Sequence, residues 1–185
     1  MSPNTESATG AQPGPAESAP ADRSGPAGES AASPSRPLNH TERTVWLGLL
    51  STHMRLLRTL DTELVAAERI PLSSFEVLLT LAEAPGDRLR MKDIAASLLI
   101  SRSGLTRIVD DLERQGLVAR EKCPTDARGF DAVLTDAGKK AYRRARKVHL
   151  TSLRGEFLDR LTEEQLTALA GIWRTLGFDD RAGTC

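Results

Sequence analysis

The sequence predicts a mainly α-helical chain with one small β-hairpin, and three observations predict it. Apolar side chains recur at helical spacing along most of residues 41–176. Helix-start signals, a Ser or Thr opening a helix-compatible stretch, stand at Ser73, Ser101, Thr135 and Thr162. Two short β-prone runs flank a turn in one place only, about 117–123 and 130–134, around Pro124-Thr125-Asp126-Ala127-Arg128-Gly129.

Residues 1–37 stand apart. They hold seven of the ten prolines, eight alanines, seven serines and four glycines, and no Leu, Ile, Val, Phe, Tyr or Trp. Such a segment cannot bury enough apolar surface to offset its ordering entropy, so a disordered tail is expected there. The folded domain is expected over 38–180. Its first helix, Thr41 to about Ala67, places Trp46, Leu49, Leu50, His53, Leu57, Leu60 and Leu64 on one stripe, and Pro71 excludes its continuation. A second helix opens on the box Ser73-x-x-Glu76, with Leu72 and Val77 as its staple, and stops at Ala84-Pro85-Gly86. A short third helix spans roughly Met91 to Leu98.

Ser101 caps a fourth helix whose buried stripe is Leu105, Ile108, Val109 and Leu112, and Gly116 supplies its left-handed C-terminal cap. After the hairpin, Thr135 caps a long helix to roughly Leu158. The last helix carries the capping box Thr162-x-x-Gln165 and the stripe Leu166, Leu169, Trp173 and Leu176.

Composition narrows the function. The chain has 25 basic and 25 acidic residues, yet residues 86–147 hold 15 basic and 9 acidic, a local balance of +6. One basic block in a neutral chain points to a polyanion partner, with solvated helix faces as the plainer reading. Cys123 and Cys185 form neither a disulfide framework nor a zinc ribbon, and His40, His53 and His149 are scattered without ligand spacing, so no metal is expected. No nucleophile–base–orienter trio and no phosphate-binding glycine loop suggests an enzyme or a cofactor. No apolar run reaches the roughly 18–20 residues a bilayer needs, and no signal peptide opens the chain, so a cytoplasmic protein without a membrane partner is expected.

The third and fourth helices, joined by Leu99-Ile100, have the plan of a helix-turn-helix, whose second member enters the major groove. With its apolar stripe buried, the fourth helix would show Arg102, Ser103, Thr106, Arg107 and Asp110 to solvent. Arginines and hydroxyls are the groups that groove and phosphate recognition require. The hairpin that follows completes the layout of a winged helix. Arg128 at its tip would then probe the minor groove, with Asp126 holding the guanidinium and Gly129 permitting the turn. Without the preceding helix, Asp126 and Arg128 would read as an ordinary surface pair.

Residues 72–147 resemble the MarR family of winged-helix transcriptional regulators. The resemblance rests on MKDIAASLLISRSGLTRIVDDLERQGLVARE at 91–121, the wing D-x-R at Asp126-Ala127-Arg128, and LTDAG at 134–138. It implies a homodimer on pseudo-palindromic double-stranded DNA, acting as repressor or activator, with 72–138 binding DNA and the helices of 38–70 and 139–180 forming the dimer. It places DNA contacts on Arg102, Ser103, Thr106, Arg107 and Arg128, with Asp126 as brace. It also implies a small phenolic or aromatic effector between the dimer helices and the winged region; Trp46, His53 and Arg55 are the candidate contacts, and each also reads as packing or surface. Two other readings stand beside it. Cys123, next to Lys122, would serve a thiol-based redox regulator, and a winged helix without DNA readout would serve as a protein-interaction module.

Overall fold

The computed structural model describes residues 36–123 and 126–178, with only the backbone described at Cys123 and at Asp126, Ala127 and Arg128. Residues 1–35 of the expected tail, Pro124–Thr125 and Cys185 lie outside the described residues. The elements in order are α1 (His40–Glu68), α2 (Leu72–Glu83), β1 (Arg88–Arg90), α3 (Met91–Ser97), α4 (Arg102–Arg114), β2 (Val118–Cys123), β3 (Asp126–Leu134), α5 (Asp136–Glu156) and α6 (Glu163–Thr175), with single 3₁₀ turns at Pro85–Asp87 and Leu158–Arg160. The mainly α fold with a small β wing is the one the sequence predicts.

Each helix start has a local cause. Asn39 and Glu42 close a reciprocal capping box at α1, and Thr162 and Gln165 close another at α6. Ser101 caps α4 through the Gly104 amide, and Thr135 caps α5 through the Gly138 amide, both at 3.0 Å. The expected box at Ser73 and Glu76 does not form. Helix α2 begins earlier, at Leu72 behind Pro71, and its first amide is satisfied from outside: Leu72 N donates to Asp61 Oδ1 of α1 at 2.8 Å. A tertiary acceptor has displaced the local one.

The helix ends are as specific. Gly116, at φ +70°, closes a Schellman motif in which Leu117 N reaches Leu112 O and Gly116 N reaches Glu113 O. The turn between α3 and α4 closes the same way, with Ile100 N on Ala95 O and Leu99 N on Ala96 O. There the left-handed position is held by Leu99 at φ +53°, a residue that is 92% exposed. Leaving the α region with a Cβ present costs on the order of 1–2 kcal/mol, which the packing of Ile94, Ile100 and Leu105 on either side must outweigh.

The core lies between α2, α4, α5 and the sheet. Phe75, Leu78, Leu81, Ile94, Leu105 and Leu112 are essentially inaccessible, each contributing about 1.5–3 kcal/mol by burial. Phe75 of α2 stacks between two α5 rings, Tyr142 at 6.1 Å and His149 at 4.6 Å. Burial holds the His149 imidazole below its ordinary range. The C-terminal part of α1 lies on α5, burying Leu60 and Leu64, with Arg144 bonded to Glu68 at 2.8 Å and Ser152 to Glu63.

The expected α1 stripe divides at this point. Leu60 and Leu64 are buried, whereas Trp46, Leu49, Leu50, His53 and Leu57 are exposed, with nothing among the described residues covering that stretch of α1. Helix α6 likewise has no buried residue. No helix among the described residues is long and apolar enough to cross a membrane.

The sheet is antiparallel with order β1-β3-β2, one strand more than the sequence indicated. Strand β3 also starts earlier than expected, so Asp126 and Arg128 lie in its first residues rather than in a turn, and Cys123 pairs with Asp126 across the ladder.

Where LTDAG closes the motif, Gly138 faces the backbone after α4: a Cβ there would drive into the Leu117 carbonyl oxygen and crowd Leu134. Gly138→Ala is therefore expected to cost about 1–3 kcal/mol of overpacking and to lower Tm by several degrees in a thermal melt. An unchanged Tm would contradict this packing.

Candidate nucleic-acid interface

Helix α4 is amphipathic with a sharp division. Leu105, Val109 and Leu112 are buried on one side, Ile108 is half-buried, and Arg102, Ser103, Thr106 and Arg107 are exposed on the other. The two arginines have no hydrogen-bond or ion-pair partner among the described residues, so their donors face solvent. Thr106 Oγ1 donates to Arg102 O at 2.9 Å, which fixes its rotamer and leaves its lone pairs free to accept. Ser103 Oγ lies 3.2 Å from the capping Ser101 Oγ. The structure thus brings these four sequence-predicted residues onto the first two turns of one anchored helix. The N-terminal end of α4 is where a positive helix dipole adds to the arginine charge.

Asp110, grouped with them from the sequence, has a different role. Its carboxylate accepts from Arg120 of β2 at 2.6 Å, and Glu113 one turn on accepts from the same guanidinium at 2.7 Å. Arg120 was not singled out from the sequence. The signal available was the alternation Val118-x-Arg120: Val118 is buried, and Arg120 pairs in register with fully buried Ala132, so an arginine occupies an inward-facing strand position. Such a position is stable only with acceptors beneath it.

The other face of the sheet carries a charged ladder. Arg88 of β1 bonds Glu121 of β2 at 2.9 Å and reaches Asp131 of β3 at 3.4 Å, so one guanidinium ties all three strands. Asp131 is buried. Between α3, α4 and the root of the hairpin lies a cleft of about 690 Å³, lined among others by Arg90, Met91, Arg102, Thr106, Arg120 and Phe130.

For Asp126 and Arg128 the described backbone places both in β3, two residues apart; the proposed ion pair lies outside the described residues, as does the side chain of Cys123. Trp46, His53 and Arg55 are all exposed on α1. Trp46 and His53 lie two turns apart on one face; Arg55 lies on the opposite face, in a shallow groove with Leu47, Leu50, Met54 and Arg58. Among the described residues Arg55 thus stands apart from Trp46 and His53.

Comparison with known proteins agrees with this geometry. The sequence profile described as the MarR family matches residues 70–129, the stretch from the end of α1 into the wing. AbsC from Streptomyces coelicolor, a MarR family transcriptional regulator, superposes with a TM-score of 0.73 at 33% identity, covering 77% of this chain and 96% of AbsC. Sco3205 from the same organism, a MarR family regulator solved in complex with DNA, gives 0.73 at 38% identity over 77% of this chain and 89% of its own. The HTH-type transcriptional regulator PrsX of Escherichia coli is 35% identical over 120 residues, a stretch that covers 65% of this chain but 63% of PrsX, less than two thirds of its length. With the helix-turn-helix, the wing and nearly the whole length of AbsC matched, the chain belongs to the MarR family of transcriptional regulators.

Proposed function

We propose that the protein is a homodimeric DNA-binding repressor, acting in the cytoplasm on a pseudo-palindromic operator. The observation that carries this reading is the exposed quartet Arg102, Ser103, Thr106 and Arg107 on a helix whose other side is locked into the core. Phosphate contacts from such a helix set register, and arginine on a guanine edge gives sequence choice. Strand β3 carries Arg128 out along the wing, where the reading makes it the minor-groove contact and Asp126 its brace. The DNA-bound state of Sco3205 supports transferring that partner to this chain.

The dimer is supported by unfinished surface. Trp46, Leu47, Leu49, Leu50 and Leu57 of α1 and Ile172, Leu176 and Phe178 at the C-terminal end are all exposed in the single chain. Apolar side chains exposed in such number on two helices are ordinarily covered by a partner. Modulation by a small aromatic ligand is part of the same reading. The family resemblance supports it, with the ligand between the dimer helices and the winged region.

Fluorescence anisotropy with DNA from upstream of its own gene tests the function. Arg107→Ala is expected to weaken binding about tenfold or more, the worth of one good base or phosphate contact. Arg128→Ala is expected to weaken it without lowering Tm. Wild-type protein that binds no such fragment, or any genomic fragment in a selection, would leave the protein-interaction reading in its place. Sedimentation equilibrium tests the assembly: the wild type is expected to be a dimer, and Leu49→Arg with Leu50→Arg a folded monomer. A dimer unaffected by that pair would place the interface elsewhere.

A further inference from the structure

Arg120 stands out because its chemistry does not match its place. It sits on the inward face of β2, opposite fully buried Ala132, with its side chain only 21% accessible. Its guanidinium makes three contacts with the recognition helix: Nη2 to Asp110 Oδ1 at 2.6 Å, Nη1 to Glu113 Oε2 at 2.7 Å, and Nη2 to the Thr106 carbonyl at 3.3 Å. Its own amide donates to Glu113 Oε1 at 3.3 Å. The acceptors span two turns of α4, from the residue that carries the exposed Thr106 hydroxyl to the last turn before the Schellman loop. The donor belongs to the strand that leads out to the hairpin end.

We propose that Arg120 is a positioning residue that fixes the angle between the recognition helix and the wing, so that both reach one DNA duplex at once. This rests on the DNA-binding reading above. A planar fork with fixed donor directions is suited to the task, because it holds orientation as well as distance. An ammonium at the same place would keep the charge and lose the fork. The alternative role for a partly accessible cation beside Arg90 and Arg102, at the cleft between helix and wing, is direct contact with DNA phosphate.

The two roles differ in sign when the acceptors, rather than the arginine, are neutralised. Asp110→Asn with Glu113→Gln removes two negative charges from the DNA-facing region and frees the guanidinium. If Arg120 served DNA directly, this variant would bind operator more tightly. As a positioning clamp, its loss makes binding weaker, by roughly tenfold, the scale of losing charge-assisted hydrogen bonds. Arg120→Lys is expected to lie between wild type and Arg120→Ala.

The experiment measures operator affinity by anisotropy for wild type, Asp110→Asn/Glu113→Gln, Arg120→Lys and Arg120→Ala, at a temperature where melts show all four folded. Hydroxyl-radical footprints accompany each. Weaker binding by the neutralised pair, with protection lost at the outer minor-groove positions and retained at the central major-groove positions, supports the clamp. Tighter or unchanged binding by that pair overturns it while leaving the DNA-binding reading intact. A wild type that binds no DNA fails the earlier reading instead. Should the double variant not fold, the Arg120→Lys footprint decides: uniform loss across the site overturns the clamp, and loss confined to the outer positions supports it.

Discussion

The hydroxyl of Thr135 joins the end of the recognition helix to the start of α5. Its single proton is shared between the carbonyls of Gly116 at 2.8 Å and Leu117 at 3.1 Å, and its oxygen accepts from the Gly138 amide at 3.0 Å. The Thr135 amide adds a further bond to Leu117 O. The left-handed Gly116 and the Cβ-free Gly138 let the two backbones meet there. Because the Schellman loop is fixed to α5, and α5 to α1 and α2 through Phe75, Leu60 and Leu64, the direction in which α4 points is set by the whole core. A helix that reads DNA needs this, since a displacement of an ångström at its base becomes a lost hydrogen bond at a base edge.

The wing is held by different means. Its root has apolar anchors at Val118, Ala132 and Leu134, but beyond them the sheet is tied by ions: Arg120 to α4 on one face and Arg88 to Glu121 and Asp131 on the other. A narrow ribbon leaving the core has too little area to bury side chains on both faces. Arginine forks supply orientation there at the expense of desolvation, and their worth is greatest where the guanidinium is shielded, as at Arg120.

Much of this was legible in the sequence because the determinants are local. Ser101, Thr135 and the Thr162–Gln165 box announced helix starts, Gly116 a helix end, and the Leu105–Val109–Leu112 spacing the buried side of α4. What was missed depends on contacts distant in sequence. Helix α2 takes its cap from Asp61, eleven residues earlier, which overrode the tempting Ser73–Glu76 pattern. Strand β1 has three residues and forms only because β3 offers an edge. The α3–α4 turn uses Leu99 where a glycine would have marked it. Arg120 is marked out only by the strand register that turns it inward. On α1 the periodicity was correct, but burial could not follow from it, since a stripe shows which residues seek cover and not which molecule supplies it.

An anchored helix and a wing tied to it would together present cationic side chains to a phosphate backbone. The salt dependence of operator affinity measures that engagement most directly. With about six phosphates neutralised by the dimer, log affinity should fall linearly with log salt, losing roughly a thousandfold between 50 and 200 mM. Tight binding that changes less than about tenfold over the same range would mean that the exposed arginines do not meet DNA phosphate, and would contradict the account.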